Sequence, residues 1–204
     1  MSKKTLVVSY LPSGEASSTK KVLDHFVKSA GGTVTHLDLE EKHPPVFTKK
    51  SLAAYRARNY GGQVLDADQA KDIKPFDDLV SQLKAADVLV LAFPMHNFSL
   101  PGVVKSYLDA VMFHGETFQY GPTGPEGLLK DKTALVISAT GGMYPSGAPM
   151  NNIDTLAKIE LNFMGFGTQE YVYAGAQLAG PEAAAQNLTE AQTKVSELAK
   201  NWYN

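Results

Sequence analysis

Three short stretches of the 204-residue sequence group residue types that could do chemistry together. The first is Ser17-Ser18-Thr19, a row of hydroxyls in front of apolar residues at helical spacing. Unpaired backbone N–H groups at a helix start, joined by such hydroxyls, form an anion site suited to a phosphate. Taken alone, the row reads equally well as an N-cap by Ser17 or Ser18. The second is Pro94-Met95-His96-Asn97-Phe98, which sets an amide and an imidazole between the apolar side chains of Met95 and Phe98. The third is Ala139-Thr140-Gly141-Gly142-Met143-Tyr144, whose glycines let a flat ligand approach the backbone. Lys20 and Lys21 lie near the first row, on a helix that can point them outward.

Other chemistries lack their residues. Cysteine is absent, which excludes disulfides, thiolate nucleophiles and Cys-ligated metals. The five histidines, His25, His36, His43, His96 and His114, show no metal-ligand spacing and no HExxH, so no metal is expected. Neither GxGxxG nor GxxxxGK[ST] occurs, and there is no GxSxG elbow. Acidic residues are scattered, without the pair that glycoside chemistry needs.

Each of the three stretches follows an apolar run. Thr5–Tyr10, Val88–Phe93 and Thr133–Ser138 read as strands, and Val88–Phe93 lacks alternation, as suits a strand buried on both faces. Thr33–Leu39 carries polar residues and reads as a sheet edge, and Gln169–Ala174 is a fifth strand. Helices are expected between them. Val22, Leu23, Phe26, Val27 and Ala30 mark the first, ended by Gly31-Gly32. Pro75 opens another, with Phe76, Leu79, Val80 and Leu83 inward. Ser99 caps a third and Pro101 fits its first turn, ahead of Val103, Val104, Tyr107, Leu108 and Val111. Two more run from about Asn151 to Met164 and through Leu188, Ala191, Val195, Leu198 and Trp202. Gly115–Gly127 holds too many Gly and Pro residues for regular structure.

Five strands alternating with helices predict an α/β fold. The sheet is doubly wound and parallel, in the order 2-1-3-4-5, with helices on both faces. The whole chain, residues 1–204, reads as one domain. The polar stretch from about 43 to 74 is an excursion from the core pattern, carrying Pro44-Pro45, Gly61-Gly62, a helical piece near Leu52–Tyr60 and capping-box spacing at Asp66 and Gln69. It reads as a lid, a rim of the ligand site or a subunit contact.

Composition fits a soluble globular protein, at 44% hydrophobic and 20% charged residues. A net charge of −2 gives no electrostatic case for nucleic acid or an anionic membrane. No apolar run approaches the roughly 20 residues of a membrane span. The apolar stretch after Met1-Ser2-Lys3-Lys4 is too short for a signal peptide, so a cytoplasmic location is expected.

In an open α/β sheet, ligands bind outside the carboxyl ends of the strands. The three stretches then outline a phosphate site at one strand end and a flat, polar-edged ring across the next two. A flavin mononucleotide (FMN) fits that outline. Here the sequence also resembles a known family. Pro94-Met95-His96-Asn97-Phe98, Tyr107-Leu108-Asp109, Gly115-x-Thr117-Phe118-x-Tyr120, Gly124-Pro125-x-Gly127-Leu128 and Gly141-Gly142 are similar to runs in the FMN-dependent NADH-azoreductases, also described as NADH:quinone oxidoreductases. The likeness extends over nearly the full chain. It implies a flavodoxin-like homodimer with one FMN per subunit and a site at the subunit interface. NADH or NADPH would reduce the flavin, and a quinone or aromatic azo compound would then take the electrons in a ping-pong scheme.

By position, the resemblance implies that Ser9, Ala16, Ser17 and Ser18 hold the ribityl phosphate. Pro94, Met95, His96, Asn97 and Phe98 wrap the ring. Ala139, Thr140, Gly141, Gly142 and Tyr144 lie along its other edge, and Tyr120 and Phe163 line the substrate cavity. His96 replaces a frequent tyrosine, Ala16 a serine, Ala139-Thr140 a Ser-Arg pair and Tyr144 a histidine. No side chain is singled out as indispensable; His96 is the candidate proton donor, because its ordinary pKa of about 6.5 permits the role. The alternative is a flavodoxin-type electron carrier that does not itself oxidise NAD(P)H. The near-neutral charge offers such a carrier little for electrostatic docking.

Overall fold

A computed structural model of the chain describes residues 2–203. Seven strands and six α-helices follow in the order β1 (Lys4–Ser9), α1 (Ser18–Ser29), β2 (Thr33–Asp38), α2 (Lys49–Tyr55), α3 (Ala67–Ala85), β3 (Val88–Ala92), α4 (Gly102–Val111), β4 (Phe118–Gly121), β5 (Gly124–Gly127), β6 (Thr133–Ala139), α5 (Asn152–Met164), β7 (Thr168–Ala174) and α6 (Pro181–Tyr203). Five strands form a parallel sheet in the order β2-β1-β3-β6-β7. With β6 and β7 as the fourth and fifth sheet strands, this is the expected 2-1-3-4-5 order. β2 is at the edge and largely exposed, while β3 in the centre is buried throughout.

Alternate strand residues feed two cores, one on each face of the sheet. Leu6, Val8, Leu89, Leu91, Ala134 and Val136 meet Phe76, Leu83, Tyr107, Leu108 and Leu161 from α3, α4 and α5. Val7, Val90, Leu135 and Ile137 meet Val22, Phe26, Val195 and Ala199 from α1 and α6. Burial on both faces is why the central strands lack a polar alternation.

Three expectations need correction. Pro75 does not open a helix, and residues 67–74 do not belong to the excursion. The Asp66–Gln69 capping box starts α3, which runs 19 residues straight through Pro75. Pro75 and Lys71 are both exposed, so the carbonyl that loses its helical donor faces water. Second, Gly115–Gly127 is not irregular. It contains an antiparallel hairpin, with Phe118 opposite Gly127 and Tyr120 opposite Pro125. An isolated pair of edge strands tolerates Pro where no ladder donor is needed. Third, Ser99 does not cap α4. Its N–H and C=O pair with His96, and Pro101 is the N-cap, with no side-chain hydrogen bond.

Candidate functional site

The site lies at the carboxyl ends of β1, β3 and β6, three neighbours in the sheet. Adjacent strands are about 4.8 Å apart, so loops leaving three of them span about 10 Å. After β1 the chain makes a short 3₁₀ turn, Gly14–Ala16, and enters α1. Ser17 is buried and is the N-cap, its hydroxyl accepting from Lys20 N–H at 3.2 Å. That leaves the N–H groups of Ser18 and Thr19 at the positive end of a 12-residue helix. Ser18 Oγ donates to Gln177 Oε1 at 2.6 Å, and Thr19 Oγ1 accepts from Ala139 N–H at 3.0 Å. Ala16 is exposed beside them, and Ser9, buried at the end of β1, has its carbonyl engaged by Leu39 N–H. Lys20 turns away to Asp24 and Glu15, which raise its pKa, the hydrogen bond to Asp24 contributing most.

The loop after β3 is held by its backbone. Phe93 N–H and Met95 N–H donate to Ile137 and Ala139 carbonyls, which carries β3–β6 pairing past the strand and around Pro94. The N–H of His96 donates to Ser99 O and the reverse bond is also 3.0 Å. Asn97 (φ 46°) and Phe98 (φ 67°) lie between, both left-handed, the geometry of a type I′ turn. Such turns favour Asn-Gly, and a left-handed Phe costs about 1–2 kcal/mol. Asn152 N–H fixes the turn by donating to Phe98 O. The Asn97 side chain is exposed and makes no hydrogen bond among the described residues, so its amide is free for a ligand.

The loop after β6 meets one that sequence reasoning missed, after β7. The N–H groups of Ala176, Gln177 and Leu178 donate to the carbonyls of Gly142, Thr140 and Gly141. Ala176 is left-handed (φ 56°) to achieve this. Thr140 is buried, and its hydroxyl donates to Gly142 O, so it braces its own loop. A Cβ at Gly141 would come within 2.9 Å of Leu178, and one at Gly142 within 3.0 Å of Tyr144. The close approach these glycines permit is thus used by two flexible side chains. Tyr144 also meets Phe98 edge-on, with ring centroids 5.8 Å apart.

Met95, Asn97, Phe98, Gly141, Gly142, Tyr144, Leu178 and Ala179 line a hollow of about 520 Å³. Its apolar walls, the free Asn97 amide and the adjoining α1 N-terminus fit an elongated ligand with a flat ring at one end and an anion at the other. Tyr10, also missed, packs edge-on to the exposed His96 at 5.7 Å. Tyr10, Gln177 and Leu178 all sit at carboxyl strand ends, so the placement rule for open α/β sheets was the signal that could have found them.

Tyr120 and Phe163 lie elsewhere. The hairpin follows the carboxyl end of α4, and Phe163 is near the carboxyl end of α5, beside the amino ends of β3 and β6. Phe118 joins them, 5.8 Å from Tyr120 and 4.7 Å from Phe163 by ring centroids. Within one chain the hollow and this aromatic group occupy opposite ends of the sheet.

Sheet order and strand-end hollow define a ligand-binding protein of the open, doubly wound α/β class. The family model described as "Flavodoxin-like fold" matches residues 3–199. An FMN-dependent NADH:quinone oxidoreductase of Shewanella denitrificans is 36% identical over 96% of this chain and 98% of its own. Its counterpart in Pectobacterium atrosepticum is 34% identical, over 97% and 98%. The crystal structure of an FMN-dependent NADH-azoreductase from Bacillus anthracis, in complex with FMN, superposes with a TM-score of 0.88 at 29% identity, covering 99% of this chain and 100% of that one. The chain therefore belongs to the flavodoxin-like family of FMN-dependent NADH:quinone oxidoreductases.

Proposed function

We propose that the protein is an FMN-dependent enzyme that oxidises NADH or NADPH and reduces quinones and aromatic azo compounds. The observation that carries this reading is the meeting of a free helix N-terminus, a strained Asn97-Phe98 turn and a glycine pair at three neighbouring strand ends, in a chain matched over 96% of its length by a relative of that name. Bound FMN supplies the redox chemistry, taking a hydride from the nicotinamide and passing two electrons to the acceptor. The chain's own share is binding, orientation and exclusion of water.

Ser17, Ser18 and the first N–H groups of α1 would hold the phosphate, with Ser9 and Ala16 beside them. Pro94, Met95, Asn97 and Phe98 would hold one edge of the ring, and Ala139 to Gly142 with Tyr144 the other. His96, exposed at the rim, would be the proton donor to the acceptor. A ping-pong scheme follows if nicotinamide and acceptor use the same space over the ring.

Residues 1–204 would act as one FMN-binding domain in a cytoplasmic homodimer. Among the described residues no helix is long and apolar enough to cross a membrane. Support for the dimer comes from the two ends of the sheet. Tyr120 and Phe163 can line an acceptor cavity only if a second copy brings them to the hollow. Tyr60 and Tyr120 are also 52% and 61% exposed, apolar surface that a partner would cover.

The visible spectrum of the purified protein tests the reading. A flavin band that bleaches on anaerobic addition of NADH and returns with a quinone is the expected result. Protein that binds no FMN overturns the proposal. A flavin that stays oxidised in NADH selects the electron carrier instead.

A further inference from the structure

Two side chains at the start of α1 reach across to the ring end of the hollow. Thr19 Oγ1 accepts from Ala139 N–H at 3.0 Å, and Ser18 Oγ donates to Gln177 Oε1 at 2.6 Å. Gln177 is half-buried on the loop after β7, next to Leu178 and Ala179 of the hollow's lining. Its amide is fixed in one orientation. Nε2 donates to Gly175 O at 3.0 Å and to Ala184 O, in the first turn of α6, at 3.2 Å. Both partners are carbonyls, which only accept, so the amide nitrogen faces them and Oε1 faces Ser18. The Ser18 hydroxyl has a single proton, and Oε1 takes it.

The main chain of Gln177 is held as well. Its N–H donates to Thr140 O at 3.0 Å, beside the bond from Leu178 N–H to Gly141 O at 2.9 Å. One residue therefore bonds to α1, to the loop after β6, to its own loop and to α6. Main-chain bonds join the two ring-end loops to each other. Side chains, Ser18 on Gln177 and Thr19 on Ala139, join α1 to that assembly.

A ligand with an anion at one end and a flat ring at the other needs its two subsites at a set separation. Fixing that separation beforehand lowers the ordering cost of binding. We propose that Gln177 is a positioning residue for FMN: through Ser18 it fixes the N-terminus of α1 relative to the ring hollow, and the Ser18 hydroxyl serves as the tie. This rests on the placement of the phosphate at α1 given above. The hydroxyl donor to the phosphate is then Ser17, whose oxygen accepts from Lys20 N–H and whose proton has no partner among the described residues. Ser18 contributes its N–H.

Two variants cut the tie from opposite sides. Ser18→Ala removes the donor, and Gln177→Met removes the acceptor at nearly the same volume. The full chain is dialysed free of flavin, the wild type is shown to rebind FMN, and each protein is titrated with FMN and with riboflavin, which lacks the phosphate. Each variant is expected to weaken FMN about tenfold and riboflavin about threefold or less. The double variant should bind FMN within about twofold of Gln177→Met alone, because both changes remove one bond. Ser17→Ala should weaken FMN in full on either background. Amide exchange at residues 176–178 in the FMN-saturated protein reads the tie directly, and Ser18→Ala should speed it about fivefold.

Unchanged exchange in FMN-saturated Ser18→Ala overturns the tie, and this holds even if Gln177→Met does not fold. A Ser18→Ala loss that persists undiminished beside Gln177→Met assigns the hydroxyl to the phosphate and also overturns it. Equal losses for FMN and riboflavin overturn the positioning of one end against the other. Wild-type protein that binds no FMN overturns the proposed function and this inference with it, a result visible before any variant is made.

Discussion

The two ends of the sheet are built on different principles. At the carboxyl end, main-chain hydrogen bonds fix the loops: Met95 to Ala139, His96 to Ser99, Gln177 to Thr140 and Leu178 to Gly141. Side chains there are largely exposed, and three non-glycine residues, Asn97, Phe98 and Ala176, are left-handed. At the amino end, side chains do the fixing. The His114 ring joins Tyr60 to Tyr120, Thr117 Oγ1 bridges Val111 O and Phe113 N–H, and Lys84 pairs with Glu116. A site held by its backbone tolerates exchange of side chains, while a surface held by side chains changes whenever one is replaced. On this reading the exposed side chains of Ala16 and His96 can be exchanged without dismantling the hollow, whereas the Thr140 hydroxyl, bonded to Gly142 O, cannot be lost as freely.

If the ends are independent, damage to one should spare the other, and the largest effect tests this. Gly127 in β5 lies against Gly165 at the end of α5, and a Cβ on Gly127 would come within 2.3 Å of Gly165 N and 2.5 Å of Met164 C. Backbone cannot give as a side chain does. Gly127→Ala is expected to cost about 3 kcal/mol in urea unfolding. FMN affinity, measured in the folded fraction, should stay within about threefold of wild type, since each 1.4 kcal/mol is tenfold and no contact that the hollow makes within its own chain changes. A parallel loss of FMN binding would break the distinction between the ends.

The strained turn offers a smaller, two-sided effect. Phe98→Gly removes the left-handed strain of about 1–2 kcal/mol and also the edge-on contact with Tyr144, worth about 0.5–1.5 kcal/mol. The two nearly offset, so stability should change by less than about 1 kcal/mol. FMN affinity should nevertheless fall about tenfold through loss of an apolar wall, the size of effect that a partly buried aromatic contact supplies. Stability and binding would then part company at one residue, as expected where strain is kept for function. A variant that loses both together would mean that Phe98 packs as core.

What the sequence made legible follows the same division. The buried parallel strands, the Ser17 cap and the Asp66–Gln69 capping box are local signals, and all were readable. The α3 start was misplaced because Pro75 is a strong helix breaker by rule, and only its exposure makes it tolerable here. The hairpin was hidden by its own Gly and Pro residues, and the type I′ turn by the lack of a glycine in His96-Asn97-Phe98-Ser99. Gln177 on Ser18, Leu178 on Gly141 and Asn59 on His114 join residues 159, 37 and 55 apart in sequence. Nothing local announces such contacts. Tyr120 and Phe163 became candidates through the family resemblance alone, since periodicity gives no reason to single them out.

The smallest effect is expected at His96. Its N–H and C=O close the type I′ turn with Ser99, and any residue can supply those two groups. Its ring is exposed and touches Tyr10 only edge-on at 5.7 Å. His96→Tyr should therefore leave FMN affinity within about twofold, measured by flavin fluorescence titration, since an exposed edge contact is worth a few tenths of a kcal/mol. The informative reading is the pH profile of acceptor reduction. If His96 gives its proton to the acceptor, the profiles of wild type and the tyrosine variant should differ in shape, because the two side chains hold and release a proton differently. Superposed profiles would return His96 to the backbone-held group, as a side chain whose identity the hollow does not use.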